Sequence, residues 1–192
     1  MGVKKYDYSI VSDYIELEKK SEIKHEYEEG EIFAMSGGSI SHGILCGNIY
    51  TEIRKKLKDN TADCRVFGSE IRVRIEKKNA FVYPDTMVVC GDIQVSDEDE
   101  NSAVNPILIV EVLSKSTAAY DRGDKFYKYR QIDSFQEYVL IDQEKAVVEI
   151  FYKKENNVWE IVWVSGLNET FLLQSIDASV RMEDLYQDVE LS

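Results

Sequence analysis

Two nearly continuous apolar runs each enclose a single carboxylate. The first, Ala80-Phe-Val-Tyr-Pro-Asp-Thr-Met-Val-Val-Cys90, carries Asp85; the second, Pro106-Ile-Leu-Ile-Val-Glu-Val-Leu113, carries Glu111. Runs of this length and composition read as central strands buried on both faces. A charge inside such a strand costs several kcal/mol unless something compensates it. A bound cation would compensate both carboxylates at once, which brings a metal-dependent hydrolase into view. Glu111 equally finds a simple partner in Lys125 or an arginine. Pro84 has no N–H to give a ladder, so it marks an edge, a bulge or a strand end just before Asp85.

The remaining pattern surrounds these runs with helices and further strands. Ser9 to Lys19 reads as a short helix capped by Ser12, with Ile15 toward the core. Glu22 to Met35 reads as a hairpin turning at Glu28-Glu29-Gly30. Ser39 or Ser41 caps a helix reaching about Lys58, with Ile44, Leu45, Ile49, Ile53 and Leu57 on one face. Glu70 to Glu76 alternates strictly and predicts a half-exposed strand. Thr117 is placed to cap a helix from Ala118 to about Gln131. Strands follow at 137–142, 146–152, 158–164 and 170–173, then a short helix at 181–186. The order predicts one α/β or α+β domain spanning residues 1–192, a mixed central β-sheet flanked by helices. The second run, the 118–131 helix and the 137–142 strand form a parallel crossover unit.

Composition limits the chemistry. With three scattered cysteines and two histidines, a Cys-x-x-Cys zinc site and a His-rich cluster are excluded, and the thiols read as buried and reduced. Any metal site must rest mainly on oxygen ligands, which favours Mg2+ or Mn2+. The net charge of −13 argues against a protein that coats nucleic acid passively. It leaves room for a nuclease with a local basic patch, and Ser114 to Arg130 supplies a positive island through Lys115, Arg122, Lys125, Lys128 and Arg130. Asp97-Glu-Asp-Glu100 reads as a solvated acidic loop. The stretch Met1 to Lys20 has no apolar leader, and no run of about 18 apolar residues occurs, so a cytoplasmic location without a membrane span is expected.

Three blocks carry a family resemblance: Tyr83-Pro-Asp-Thr-Met-Val-Val, Ile109-Val-Glu-Val-Leu-Ser-Lys-Ser-Thr117, and Tyr120-Asp-Arg-Gly-Asp-Lys-Phe-Tyr-Lys-Tyr-Arg130. With His25 to Ser36, His42 and Glu137 to Asp142, they resemble the Uma-two family of endonucleases over residues 10–187. The resemblance implies a restriction-endonuclease-like fold of the PD-(D/E)xK superfamily. It further implies a Mg2+- or Mn2+-dependent endonuclease acting on DNA, with a homodimer plausible because a duplex has two strands. The lysine of that signature would fall at Leu113; the resemblance moves its role to Lys125. Asp85, Glu111 and Lys125 are then the catalytic set. Asp85 and Glu111 bind the metal with the Val112 carbonyl and with Glu26 or Glu70. His42, Arg122, Lys128 and Tyr129 face the substrate. Two rivals remain, an inactive module that keeps the nuclease fold and a carboxylate-pair glycosidase.

Overall fold

The computed structural model describes residues 9–59 and 63–192, with only the backbone of Asp59; the first eight residues of the stretch read above as lacking a leader lie outside it. The strands are β1 (His25–Glu28), β2 (Glu31–Ala34), β3 (Cys64–Gly68), β4 (Arg72–Ile75), β5 (Ala80–Val82), β6 (Thr86–Cys90), β7 (Val95–Ser96), β8 (Asp99–Ala103), β9 (Leu108–Leu113), β10 (Glu137–Asp142), β11 (Val147–Lys153), β12 (Trp159–Ser165), β13 (Thr170–Leu173) and β14 (Ala178–Arg181). The helices are α1 (Val11–Lys20), α2 (Ile40–Asp59), α3 (Ala118–Tyr120), α4 (Phe126–Tyr129) and α5 (Met182–Leu185), with a π turn, Asp121–Lys125, joining α3 to α4.

The mixed α+β architecture expected from the sequence holds. Its strands divide between a sheet ordered β2-β1-β5-β4-β8-β7, a second ordered β12-β11-β10-β9-β6-β3, and the small β13-β14 ribbon. The 80–90 run is therefore two strands. It leaves the first sheet after Val82, passes through Tyr83-Pro84-Asp85, and enters the second sheet at Thr86. Pro84 explains the break, since it has no N–H to offer either ladder. Asp85 thus sits in the seam between the sheets.

In the second sheet β9 runs antiparallel to β6 and parallel to β10, as the crossover pattern required. Period-2 alternation sends Leu108, Val110 and Val112 into the cluster under α2. Ile109 and Leu113 join a second cluster with Met87, Tyr129 and Tyr138. Glu111 shares their face, so its carboxylate meets α4 rather than α2. The helix α2 buries Leu45, Ile49, Ile53 and Leu57, as its periodicity predicted; Ile44 is only half-buried.

Several local expectations need correction. Ser12 lies inside α1, whose N-cap is Ile10, and Thr117 makes no side-chain cap bond. The Ser39 hydroxyl does cap α2, accepting the His42 N–H at 3.1 Å. The hairpin turn falls at Glu29 and Gly30, both with positive φ, the geometry that a two-residue primed turn requires. The strand predicted as half-exposed is buried throughout, because Arg72 and Arg74 meet Asp99 and Glu98. Those acids belong to the cluster read as a solvated loop; Asp99 is buried in β8. Cys64 and Cys90 lie opposite each other in β3 and β6 and form a disulfide, so only Cys46 is free among the three cysteines expected as thiols.

Candidate active site

The seam between the sheets opens into a cavity of about 610 Å³ lined by residues that include Glu26, His42, Asp85, Glu111, Asp121, Lys125 and Lys128. Asp85 and Glu111 are tied together reciprocally. The Val112 N–H donates to Asp85 Oδ2 at 2.7 Å, and the Asp85 N–H donates to Glu111 Oε2 at 3.4 Å. Each carboxylate is thus positioned by the other strand's backbone. Lys125 completes the set. Its Nζ lies 2.8 Å from Glu111 Oε1, 3.5 Å from Glu26 Oε1, 4.0 Å from Asp121 Oδ1 and 3.3 Å from the Tyr83 carbonyl. The Tyr129 hydroxyl donates to Glu111 Oε1 at 2.8 Å.

The helix supplying Lys125 is not a regular α-helix. Asp121, Lys125 and Tyr129 were expected to share a face by α-helical spacing. The residues Asp121–Lys125 instead form a π turn, and the Asp121 carbonyl accepts the Tyr138 hydroxyl at 3.0 Å. Such turns are uncommon and concentrate at functional sites. Here Asp121, Lys125, Lys128 and Tyr129 all point inward, while Arg122, Gly123 and Asp124 stay exposed.

The carboxylates of Glu26, Asp85, Glu111 and Asp121 surround one ammonium. Burial pushes Glu111 well above the usual carboxylate range, despite Lys125. Burial raises Asp121 as well, again against Lys125. For Lys125 burial acts downward, but Glu111, Glu26, Asp121 and Asp85 outweigh it and hold the proton firmly. Asp85 is the exception. Burial pushes it up, yet the hydrogen bond to His42, the charges of His42 and Lys125, and the Val112 N–H bring it below the usual range. His42 is correspondingly raised by its bond to Asp85, against burial. This surplus of hard oxygen donors fits a divalent cation of the Mg2+ or Mn2+ type.

A pH dependence follows. Above the ordinary carboxylate range the folded chain keeps protons on Glu111 and Asp121 that the unfolded chain has lost, so stability increases as pH falls toward that range. His42 adds the same sign near neutrality, and Asp85 opposes it only at acid pH. The metal-free protein is expected to melt at a higher temperature in mildly acidic than in mildly alkaline buffer, since the folded chain holds the extra protons. Glu111→Gln should flatten that slope; an unchanged slope in thermal melts would contradict the assignment.

Not every residue singled out from sequence reaches the cavity. Glu70 is exposed and pairs with Lys24 at 2.7 Å, away from the carboxylates. Arg122 forks onto Glu149 on the outer surface. Tyr129 is fully buried and touches Glu111, so it supports the acid rather than facing substrate. Lys128 lines the cavity but is held by Glu28 and by the Tyr120 hydroxyl. The positive island is therefore largely neutralised: Lys115, Arg122, Lys125 and Lys128 each meet an acid from elsewhere in the chain. Sequence reasoning missed the network behind Asp85. Glu18 accepts the Tyr83 hydroxyl at 2.6 Å and the His25 N–H at 3.1 Å, and Arg72 joins Glu18 to Asp99. It also left Cys46 as an inert thiol.

The mixed α+β arrangement of sheets and helices matches a crystal structure from Anabaena variabilis with a TM-score of 0.72, covering 93% of this chain and 98% of that one at 18% identity; that protein is described as "a putative nuclease belonging to DUF820". The chain belongs to the Uma2 family, described as "putative restriction endonuclease", which matches residues 11–182. Relatives in Synechocystis sp. include the uncharacterized proteins slr1290, 30% identical over 91% of this chain and 90% of its own length, and sll1609, 33% identical over 82% and 88%. No helix among the described residues is long and apolar enough to cross a membrane.

Proposed function

We propose that this protein is a Mg2+- or Mn2+-dependent endonuclease of the PD-(D/E)xK type that hydrolyses DNA phosphodiester bonds. The observation that carries this reading is the convergence of Asp85, Glu111 and Glu26 on Lys125 within one cavity. Asp85, Glu111 and Glu26, with the Val112 carbonyl, would hold the cation, which when bound lowers the pKa of a water and offsets phosphate charge. Lys125 stabilises the negative charge that develops on the phosphoryl oxygens, and its burial keeps water from screening it. It serves in place of Leu113, which lies in the core. Tyr129 holds Glu111 in position. His42, with Nε2 3.2 Å from Asp85 Oδ2, holds a phosphate oxygen or moves a proton beside the acid. The family description and the fold of the Anabaena protein support the same reading.

A homodimer belongs to this proposal, since a duplex presents two strands to a chain with one such cavity. So does a cytoplasmic location, although the Cys64–Cys90 disulfide is the kind of bond that a reducing compartment disfavours.

The purified protein should cut DNA with Mg2+ or Mn2+ and not with chelator. Asp85→Asn and Glu111→Gln should each reduce cleavage to background. Strong cleavage in chelator, or undiminished cleavage by both variants, would overturn the mechanism. The pairing of the basic residues after β9 favours one other reading, a catalytically inactive module that keeps the nuclease fold. Titration separates the two: Mg2+ binding with cleavage supports the enzyme, and no binding at millimolar Mg2+ supports the module.

A further inference from the structure

We propose that His42, Cys46 and Asp85 form a second cation site, selective for a thiophilic ion of the Zn2+ class, and that filling it inhibits cleavage by taking Asp85 away from the oxygen-ligand set. The inhibitory half rests on the function proposed above; the binding half does not.

His42 and Cys46 lie one turn apart on α2 and share a face. Cys46 Sγ is 3.5 Å from His42 Nδ1, and His42 Nε2 is 3.2 Å from Asp85 Oδ2. One ligand atom from each of these three half-buried side chains can be chosen so that all lie within 4.8 Å of one another. A tetrahedral zinc ion with ordinary Zn–S and Zn–N bond lengths has an N···S edge of roughly 3.5 Å, so the helix already holds these two donors at ligand spacing.

The donor types decide which ion is taken. A sulfur and an imidazole are poor ligands for Mg2+ and good ones for Zn2+ or Co2+. Three protein ligands leave a position open for water or a substrate oxygen. Gly38, just before α2, helps build the site. A Cβ there would come within 2.8 Å of His42 Nδ1, so the missing side chain makes room for the imidazole. His42 offers the ion Nδ1, the nitrogen beside Cys46, and keeps its proton on Nε2; on binding, Asp85 leaves Nε2 for the ion, and the Cys46 thiol gives its proton to solvent. Asp85 directs Oδ2 to both His42 and the Val112 N–H, so drawing this carboxylate toward α2 also disturbs its link to β9.

Cobalt tests the site directly, because a thiolate bound to Co2+ gives a near-ultraviolet charge-transfer band. The full chain titrated with CoCl2 should develop this band and saturate at one ion per chain. Zn2+ should erase the band and Mg2+ should not. Cys46→Ser should lose the band, His42→Ala should weaken cobalt binding, and circular dichroism should show both variants folded. Cys46→Ala replaces Cys46→Ser if the serine variant fails to fold. Absence of the band in the wild type, or its persistence without the Cys46 sulfur, overturns the site. For inhibition, the ratio of Mg2+-dependent cleavage with and without Zn2+ is compared within each protein. A strong drop in the wild type that is relieved in Cys46→Ser supports the proposal, and equal drops overturn its inhibitory half. A wild type that never cleaves overturns the inhibitory half together with the nuclease reading, while the cobalt band still decides the site.

Discussion

Lys125→Met is expected to lose cleavage while binding divalent cations more tightly than the wild type. The Lys125 ammonium is the cation that Glu111, Glu26 and Asp121 share, at 2.8, 3.5 and 4.0 Å. Methionine keeps much of the side chain's bulk and removes the charge, leaving carboxylates in the seam with no lysine to offset them. Breaking a buried ion pair from one side costs about 3–5 kcal/mol, so the metal-free variant should melt well below the wild type at neutral pH. An added divalent cation then meets carboxylates that no longer have an internal competitor. Its stabilising effect grows with occupancy, so Mg2+ or Mn2+ should raise the melting temperature more in the variant than in the wild type. The rate should fall on the order of 10²–10³-fold, the usual loss when a positioned charge or donor is removed from a developing oxyanion. Melting curves with and without metal, beside a cleavage assay, check both halves. A smaller metal-induced shift in Lys125→Met would mean that the lysine and the cation do not use the same carboxylates.

Arg72→Met is the second large effect, and it acts on the support of Asp85 rather than on the cavity itself. Arg72 is buried and reaches Asp99 at 2.7 Å and Glu18 at 3.5 Å. Both acids are nearly inaccessible, so removing the guanidinium leaves two buried carboxylates, again at a cost of about 3–5 kcal/mol. Glu18 also accepts the Tyr83 hydroxyl, and Tyr83 precedes Pro84-Asp85 and accepts the Lys125 ammonium with its carbonyl. Cleavage measured on the folded fraction should therefore fall as well. Arg74→Met is the control. Its partner Glu98 is partly solvated, so the loss in urea denaturation midpoint should be smaller. Equal losses from the two arginines would mean that the Glu18–Arg72–Asp99 network carries no special weight.

The two acids that line the cavity stood out in the sequence because each breaks a local rule, and the lysine beside them stood out by resemblance. Asp85 and Glu111 are charges in apolar runs, and Lys125 belongs to a block that resembles a known family. The hairpin and the β9–β10 crossover were legible for a similar reason, since both are local patterns. What stayed hidden depended on partners distant in sequence. Arg72 and Arg74 alternate with apolar residues and so imitate a solvated face; only the placement of β8 beside β4 buries them. Glu70 carries the same charge as Glu26 and sits on an equally plausible segment, but the fold turns it outward to Lys24. Cys64 and Cys90 are 26 residues apart, and nothing local says that β3 folds back along β6. His42 and Cys46 stand four apart on a helix the sequence predicted; what stayed hidden is that the fold brings Asp85 beside them.

The π turn between α3 and α4 implies an unusual kind of constraint on the gene. A π turn closes its hydrogen bonds over one residue more than an α turn, so a single deletion within Asp121–Lys125 would let the segment close as an ordinary α-helix. The aromatic packing of Phe126 and Tyr129 against Tyr138 could then be kept, and the change would fall on the spacing of Asp121 and Lys125. Yet the residues at the crest, Arg122, Gly123 and Asp124, are exposed and occupy no part of the cavity. This is a segment where spelling is free for the fold and length matters for the site. Libraries that vary these three positions should be rich in folded members, and single-residue deletions here should fold while losing the placement of Lys125 beside Glu111.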